Sequence, residues 1–436
     1  MGRLAPVTSS ALLTDHYELT MLQAALESGT AQRRCVFELF ARRLPSGRRY
    51  GVVAGTGRAL ETLRRFRFDD DVLGALDRHG VVDDRTLQHL AAWRFTGDID
   101  GYAEGDIYFP DSPVLTVEAT FAEGVLLETL LLSILNHDAA IASAASRMTS
   151  AAGGPDGRPC IEMGSRRTHE EAAVAAARAA YVAGFATTSN LAAGARHGVP
   201  TAGTSAHSFT LLHDSERDAF TAQVDALGVG TTLLVDTYDV AEAVALGVEV
   251  AGPGLGAVRL DSGDLGELAH EVRAQLDRLG AHDTRIVVTS DLDEHAIAAL
   301  AGAPVDAYGV GTQLVVGSGH PTSGFVYKLV AREGAGGDLE PVAKDSAAKA
   351  TVGGRKTAVR RHDRAGTATE EVVSVEEVEP RDGDRVLQVP LVRGGEVVGD
   401  EPLQAARDRH ARCRSDLPRA ARRLSRGEPC LPTVSS

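Results

Sequence analysis

Lysine is scarce in this chain. It supplies four of the 45 cationic side chains and arginine the other 41, and the four (Lys328, Lys344, Lys349, Lys356) fall within one span of 29 residues. Flexible ammonium groups kept in one place suit mobile phosphates, and chance clustering is the plainer alternative. Positive charge is in deficit overall: a formal net charge of −15 argues against a nucleic-acid surface, so a phosphate-bearing ligand needs a local cationic pocket. Cysteine is sparse too. Cys35, Cys160, Cys413 and Cys430 show no metal-like pairing, and His410-x-x-Cys413 lacks a second close pair, so reduced thiols are expected. The start, Met1-Gly-Arg-Leu-Ala-Pro6, has no apolar core for a signal peptide, and Pro6 stands where a myristoylation signal needs Ser or Thr. A cytoplasmic protein is expected. No membrane span is expected either, because the apolar helix opening at Glu123 is interrupted by Glu128, Asn136, His137 and Asp138 and reads as a buried interdomain helix.

What is present is enough apolar residue, 43% over 436 positions, for a large core in two or three domains. Leu19, Leu22, Ala25 and Leu26 form a stripe at helical spacing, opened by Thr14 or Asp15 as cap and stopped by Gly29. Tyr17 in its first turn is either core or a platform for a flat anionic ring. The glycines of Gly51–Gly57 read as a plain turn because no Lys-Ser/Thr follows them. From Gly97 to Ala122 a β-rich pattern fits a small antiparallel domain.

The next two hundred residues alternate short apolar runs with helical ones. Expected strands are Cys160–Met163, Gly184–Thr187, a piece around Thr201, Leu233–Val235, Ala257–Leu260, Ile286–Thr289 and Ala307–Val310. Seven β-α units of this kind imply an α/β fold with a parallel sheet, closed or irregular as a barrel. Polar residues gather just past the strands: Arg166 and Arg167, Ser189 and Asn190, Thr204 and His207, Asp236 and Asp239, Arg259 with Asp261 and Asp264, Ser290 and Asp291, Gly311 and Thr312. The carboxyl ends of parallel barrel strands form one face, where catalytic groups collect.

Three stretches there carry chemistry. Thr201-Ala-Gly-Thr-Ser-Ala-His-Ser208 leaves His207 reachable among small residues, either as a structural imidazole or as one that takes a proton or a phosphoryl group. Arg259-Leu-Asp-Ser-Gly-Asp264 sets a guanidinium beside carboxylates, as an anion grip or as a structural ion pair. Gly309-Val-Gly-Thr312 offers amides and a hydroxyl to a phosphate.

With Leu13-Thr-Asp-His-Tyr17, Leu127–Asn136, Gly164-Ser-Arg-Arg167, Thr188-Ser-Asn190, Leu234-Val-Asp-Thr-Tyr-Asp239 and Lys344-Asp-Ser in the same order, the chain resembles the nicotinate phosphoribosyltransferases over nearly its whole length. The resemblance implies the type II phosphoribosyltransferase fold: an irregular seven-stranded parallel α/β barrel (residues 124–330) with a second α+β domain. That domain is built from residues 1–123 and completed by residues 331–436, and the enzyme works as a head-to-tail homodimer. It implies conversion of nicotinate and 5-phosphoribosyl 1-diphosphate to nicotinate mononucleotide and diphosphate, driven by ATP with Mg²⁺. His207 would be the phosphohistidine, with Asp261 and Arg259 beside it as catalytic groups. Tyr17 (from the other subunit), Arg166, Thr204, Ser208 and Arg259 would hold nicotinate; Ser290, Gly309, Gly311, Thr312 and Lys344 would hold the phosphates and ribose. Met163 departs from the pattern, standing where the family often places a Phe that stacks on the pyridine. A nicotinamide or quinolinate phosphoribosyltransferase, or a silent metabolite-binding relative, is the alternative.

Overall fold

A computed structural model describes residues 9–154, 156–344 and 352–435. The chain divides into two compact units, Met1–Ala140 with Thr322–Ser436, and Ile141–Pro321. The first division therefore falls within the helix Glu128–Ala151 rather than ahead of it. The stretch Phe121–Ala151 is long and apolar enough to cross a membrane, yet 67% of its most apolar window is buried inside the protein, as in a core helix.

The first unit interleaves the two ends of the chain. Its seven-stranded antiparallel sheet runs, edge to edge, Leu339–Pro341, Phe325–Glu333, Arg34–Ala41, Leu115–Thr120, Asp98–Tyr102, Gln388–Arg393 and Glu396–Val397. Central strand Arg34–Ala41 is buried at seven of its eight positions, so Phe37 and Leu39 are covered on one face and Val36 on the other. Helix His16–Glu27 turns Leu19, Leu22 and Ala25 into this core and leaves Tyr17 and Met21 exposed. Gly51–Val52 is a short strand and Thr56 opens the helix Thr56–Arg64; the Gly55 and Gly57 amides at that helix start donate to the Glu104 carboxylate at 2.7 and 3.2 Å, so the anion they hold is the chain's own.

Charge is buried here in pairs. Arg360, 1% exposed, donates to Asp106 and to Glu371, which also accepts from Tyr102 and Ser112. Lys356, far from being a free ammonium group, donates from Nζ to Glu38 at 2.7 Å and from its backbone amide at 2.8 Å. Burial pushes the Glu38 carboxyl up and Lys356 pulls it back. The lysine cluster thus contains at least one structural member, while Lys349 lies outside the described residues.

The second unit holds a six-stranded, wholly parallel sheet. Its strands are β1 (Cys160–Glu162), β2 (Thr187–Thr188), β3 (Thr232–Leu234), β4 (Ala257–Leu260), β5 (Arg285–Val288) and β6 (Ala307–Val310), in the order β2-β1-β6-β5-β4-β3. Apolar side chains such as Leu233, Val258, Leu260, Ile286 and Val288 are fully buried, as strands covered by helices require. The expected seventh strand is reduced to one parallel bridge, Thr188 to Thr201. Pro200 is the reason: it lacks an N–H to extend the ladder, and only its carbonyl pairs, with the Thr188 amide at 2.9 Å. β2 also starts later than expected, because Gly184 takes φ +104° and cannot lie in a regular strand.

Two stability measurements follow. Lys356→Met strands the Glu38 carboxylate and should cost about 3 kcal/mol in denaturant unfolding, with no change in the Michaelis constant for a phosphorylated substrate. His410 is buried and its imidazole is pushed down to about 3, chiefly by desolvation and then by Arg414. Its folded pKa lies below the unfolded value, so below about pH 6.5 the unfolded chain binds a proton that the folded chain refuses. Stability should therefore fall by up to about 1.4 kcal/mol per pH unit between about pH 6.5 and 5, and His410→Gln should flatten that slope.

Candidate active site

A parallel sheet puts every carboxyl end on one edge, and helices begin there with unpaired amides. Much of the polar residue past the strands is spent on those amides. Asn190, Asp239, Asp264 and Asp293 each accept from a first-turn N–H as N-caps of the helices Leu191–His197, Val240–Ala251, Leu265–Arg278 and Glu294–Ala299. Asp264 therefore does not share the role of Asp261, although the sequence sets them on one turn.

What remains converges on Arg259 near the end of β4. Its Nη1 donates to Thr204 Oγ1 at 3.0 Å and to the Ser205 carbonyl at 3.2 Å, and its Nε donates to Thr289 Oγ1 at 3.1 Å. Nη2 stands 3.4 Å from Asp261 Oδ2. One guanidinium thus fastens the Thr201–Ser208 loop to the ends of β4 and β5. That loop delivers His207 as the first residue of the helix His207–Leu212. Its Nδ1 lies 3.1 Å from Thr237 Oγ1, and its Nε2 lies 3.9 Å from Asp236 Oδ1.

Asp236 is the unusual group. Its side chain is 3% exposed; Oδ2 accepts from the Asp261 amide at 3.0 Å and from Ser262 Oγ at 2.7 Å, while Oδ1 has no hydrogen-bond partner. A buried carboxylate oxygen left open towards an imidazole is suited to receive a proton from it or to stabilise its charge.

The last residue of β1, Glu162, is a carboxyl that the sequence does not single out. Glu162 accepts from the Gly164 amide at 2.5 Å and from the Thr188 hydroxyl, and burial raises its pKa. Thr289 was likewise read only as the end of a strand. The signal for both is weak, a polar residue closing an apolar run, which most strand ends share.

The other expected residues differ in exposure and conformation. Arg166 is exposed in a turn after β1, and Ser208 is exposed in the first turn of the His207 helix. Gly309 is tightly enclosed: a Cβ there would lie 2.4 Å from Thr289 Cγ2 and 2.8 Å from Met163 Sδ. Gly311 and Thr312 open the short helix Thr312–Val315. Ser290 is exposed with φ +123°, a strained value for a residue with a side chain, of the kind that gathers at functional sites. Tyr17 and Lys344 belong to the other unit. The Tyr17 phenol is pushed up to about 12 by burial and by Glu128 and Glu18, and Lys344 is exposed at the end of the described segment.

Comparison with known proteins decides the family. The chain is 60% identical over 435 residues to a nicotinate phosphoribosyltransferase of Mycobacterium tuberculosis, covering 97% of this chain and 94% of that one. The chain belongs to the nicotinate phosphoribosyltransferase family. A Bacillus subtilis nicotinate phosphoribosyltransferase is 38% identical, over 81% of this chain and 73% of that one. The model of the nicotinate phosphoribosyltransferase N-terminal domain matches residues 12–136. The crystal structure of human nicotinic acid phosphoribosyltransferase superposes with a TM-score of 0.82 at 28% identity, covering 97% of each chain. A nicotinate-nucleotide pyrophosphorylase from Pyrococcus furiosus shares the fold, at TM-score 0.77 and 24% identity over 95% of this chain and 99% of that one.

In this member of the nicotinate phosphoribosyltransferase family, Ser290→Gly should relieve the positive φ and raise the unfolding free energy by about 1 kcal/mol. A drop in thermal midpoint would mean instead that the hydroxyl holds the turn.

Proposed function

We propose that this chain makes nicotinate mononucleotide and diphosphate from nicotinate and 5-phosphoribosyl 1-diphosphate, coupled to ATP hydrolysis through a phosphohistidine at His207. The single observation that carries this reading is the joining of Arg259, Asp261 and His207 through Thr204, Thr289 and Asp236 at one sheet edge. Arg259 Nη2, loosely paired at 3.4 Å, has capacity left to donate to the nicotinate carboxylate, and Thr204 lies beside it. The pyridine nitrogen then attacks the sugar's anomeric carbon as the bond to diphosphate breaks. Asp261 stabilises the positive charge that develops on the ribose. Amides of Gly309 to Thr312 are read as holding the 5-phosphate, with Ser290, Arg166 and Ser208 around the ligand.

A ring nitrogen of His207 attacks the γ-phosphorus of ATP as the bond to ADP breaks, while Asp236 Oδ1 steadies the charge on the ring; water later cleaves the phosphorus–nitrogen bond and releases phosphate. Among the described residues no group of three His, Cys, Asp or Glu side chains could hold a metal ion. Mg²⁺ would come in on the phosphates and neutralise their charge, a mode that needs no dedicated protein cage. The finer architecture belongs to the same reading: an irregular barrel in which the Thr188–Thr201 bridge takes the place of a full seventh strand, an α+β second domain, and a head-to-tail homodimer in which Tyr17 of one subunit serves the other's ring site.

The choice of acid over amide is supported by what surrounds the end of β2. Thr187 to Asn190 contains no carboxylate. A full negative charge about 4 Å from the substrate carboxylate would cost up to about 4 kcal/mol at an effective dielectric of 20.

The test is nicotinate mononucleotide formation with and without ATP, beside acid-labile, base-stable labelling from γ-labelled ATP. His207→Ala should abolish the label and leave a slow, ATP-independent reaction. Labelling that survives in the variant would remove His207 from the coupling, and efficient use of nicotinamide or quinolinate would replace the substrate assignment.

A further inference from the structure

Arg259 and Asp261 face one another closely enough to collapse into a two-pronged ion pair, which would consume both groups. They do not, and the reason is a hydroxyl between them. We propose that Thr289 is the positioning residue that holds this pair apart and ready for substrate; the proposal rests on the reading of Arg259 as the anchor for the acid.

Thr289 follows β5, is 4% exposed, and its amide donates to the Leu260 carbonyl at 2.9 Å, so its place relative to β4 is fixed. The direction of each side-chain hydrogen bond is forced by chemistry. Arg259 Nε carries a proton and can only donate, so Thr289 Oγ1 accepts it at 3.1 Å. The hydroxyl proton is then free to go to Asp261 Oδ1, which can only accept while ionised. One oxygen thereby occupies the inner edge of the guanidinium and one carboxylate oxygen at once. What is left between the charged groups is the longer contact of 3.4 Å from Nη2 to Oδ2, beyond the usual 2.7 to 2.9 Å of a strong charge-assisted bond. Nη2 and Oδ2 keep capacity for an incoming carboxylate and for a developing cation.

The methyl group explains why the residue is Thr. Thr289 Cγ2 lies against Gly309, where a Cβ would come within 2.4 Å of it and within 2.8 Å of Met163 Sδ. The missing side chain at Gly309 makes room for the methyl, and a β-branched side chain so wedged has one rotamer open to it. That rotamer aims the hydroxyl between Arg259 and Asp261.

Thr289→Val keeps the shape and the methyl contact while removing the hydroxyl. Its thermal midpoint should stay near wild type, because closure of Arg259 onto Asp261 satisfies the donor and the acceptor that the hydroxyl leaves behind. The Michaelis constant for nicotinate should rise about tenfold or more, the scale for losing a hydrogen bond to a charged group, with that for 5-phosphoribosyl 1-diphosphate unmoved. Thr289→Ser, which restores the hydroxyl, should recover most of the nicotinate affinity. A purely structural role predicts the reverse pattern: both variants lose thermal stability and neither shifts one substrate selectively. Nicotinate affinity within about twofold of wild type in Thr289→Val would overturn the proposal.

A crystal structure of Thr289→Val gives a readout independent of the substrate. Arg259 and Asp261 should close into a two-pronged pair, and a pair left as it is would overturn the positioning role. Collapse of the pair in a protein whose wild type makes no nicotinate mononucleotide would instead keep Thr289 as the spacer and reject the functional reading.

Discussion

The carboxyl edge of the parallel sheet hangs on one guanidinium. Arg259 reaches from β4 to the loop that carries His207 and to the end of β5, with hydrogen bonds to Thr204, Ser205 and Thr289. A planar group with fixed donor directions can do this; a lysine ammonium on the same strand would reach one partner at a time. Because the loop between Thr201 and His207 is made of small residues and adds only a single bridge to the sheet, it has little else to define its path. Remove the guanidinium's partners and the imidazole loses its address.

The first unit depends on a different constraint, the pairing of charge away from water. Arg360 with Asp106 and Glu371, and Lys356 with Glu38, join the amino-terminal strands to strands from the far end of the chain. Leaving one member of such a pair alone is more costly than never burying it. These pairs therefore specify which segments meet. They also explain part of the lysine cluster without any ligand: Lys356 sits where it does because Glu38 is buried on the central strand.

Polar residues at the strand ends were legible as a set but not by role. Asp239, Asp264 and Asp293 look the same in sequence as Asp236 and Asp261, a carboxylate shortly after an apolar run. Helix capping claims the first three and leaves the other two beside His207 and Arg259. Which carboxylate meets an amide is settled by where each helix starts, within a residue or so, and sequence periodicity does not locate helix starts that finely. Thr289 and Glu162 were missed for a related reason: each acts on a partner in a neighbouring strand, and no local pattern records that neighbour.

By itself the sequence determined the alternation of strands and helices in the second unit, the exposure of His207 among small residues, and the ordered motifs that place the chain in its family. These rest on local rules, hydrophobic period and turn chemistry, that act within one segment. Only the tertiary structure decided that Pro200 cuts the seventh strand to a bridge, that Lys356 is a buried partner of Glu38, and that Asp236 keeps one oxygen unpaired towards His207. Those facts depend on which donor meets which acceptor across 12 to 318 positions of sequence. That meeting is fixed by sheet order and packing, where a shift of one hydrogen bond decides whether a carboxylate caps a helix or faces His207.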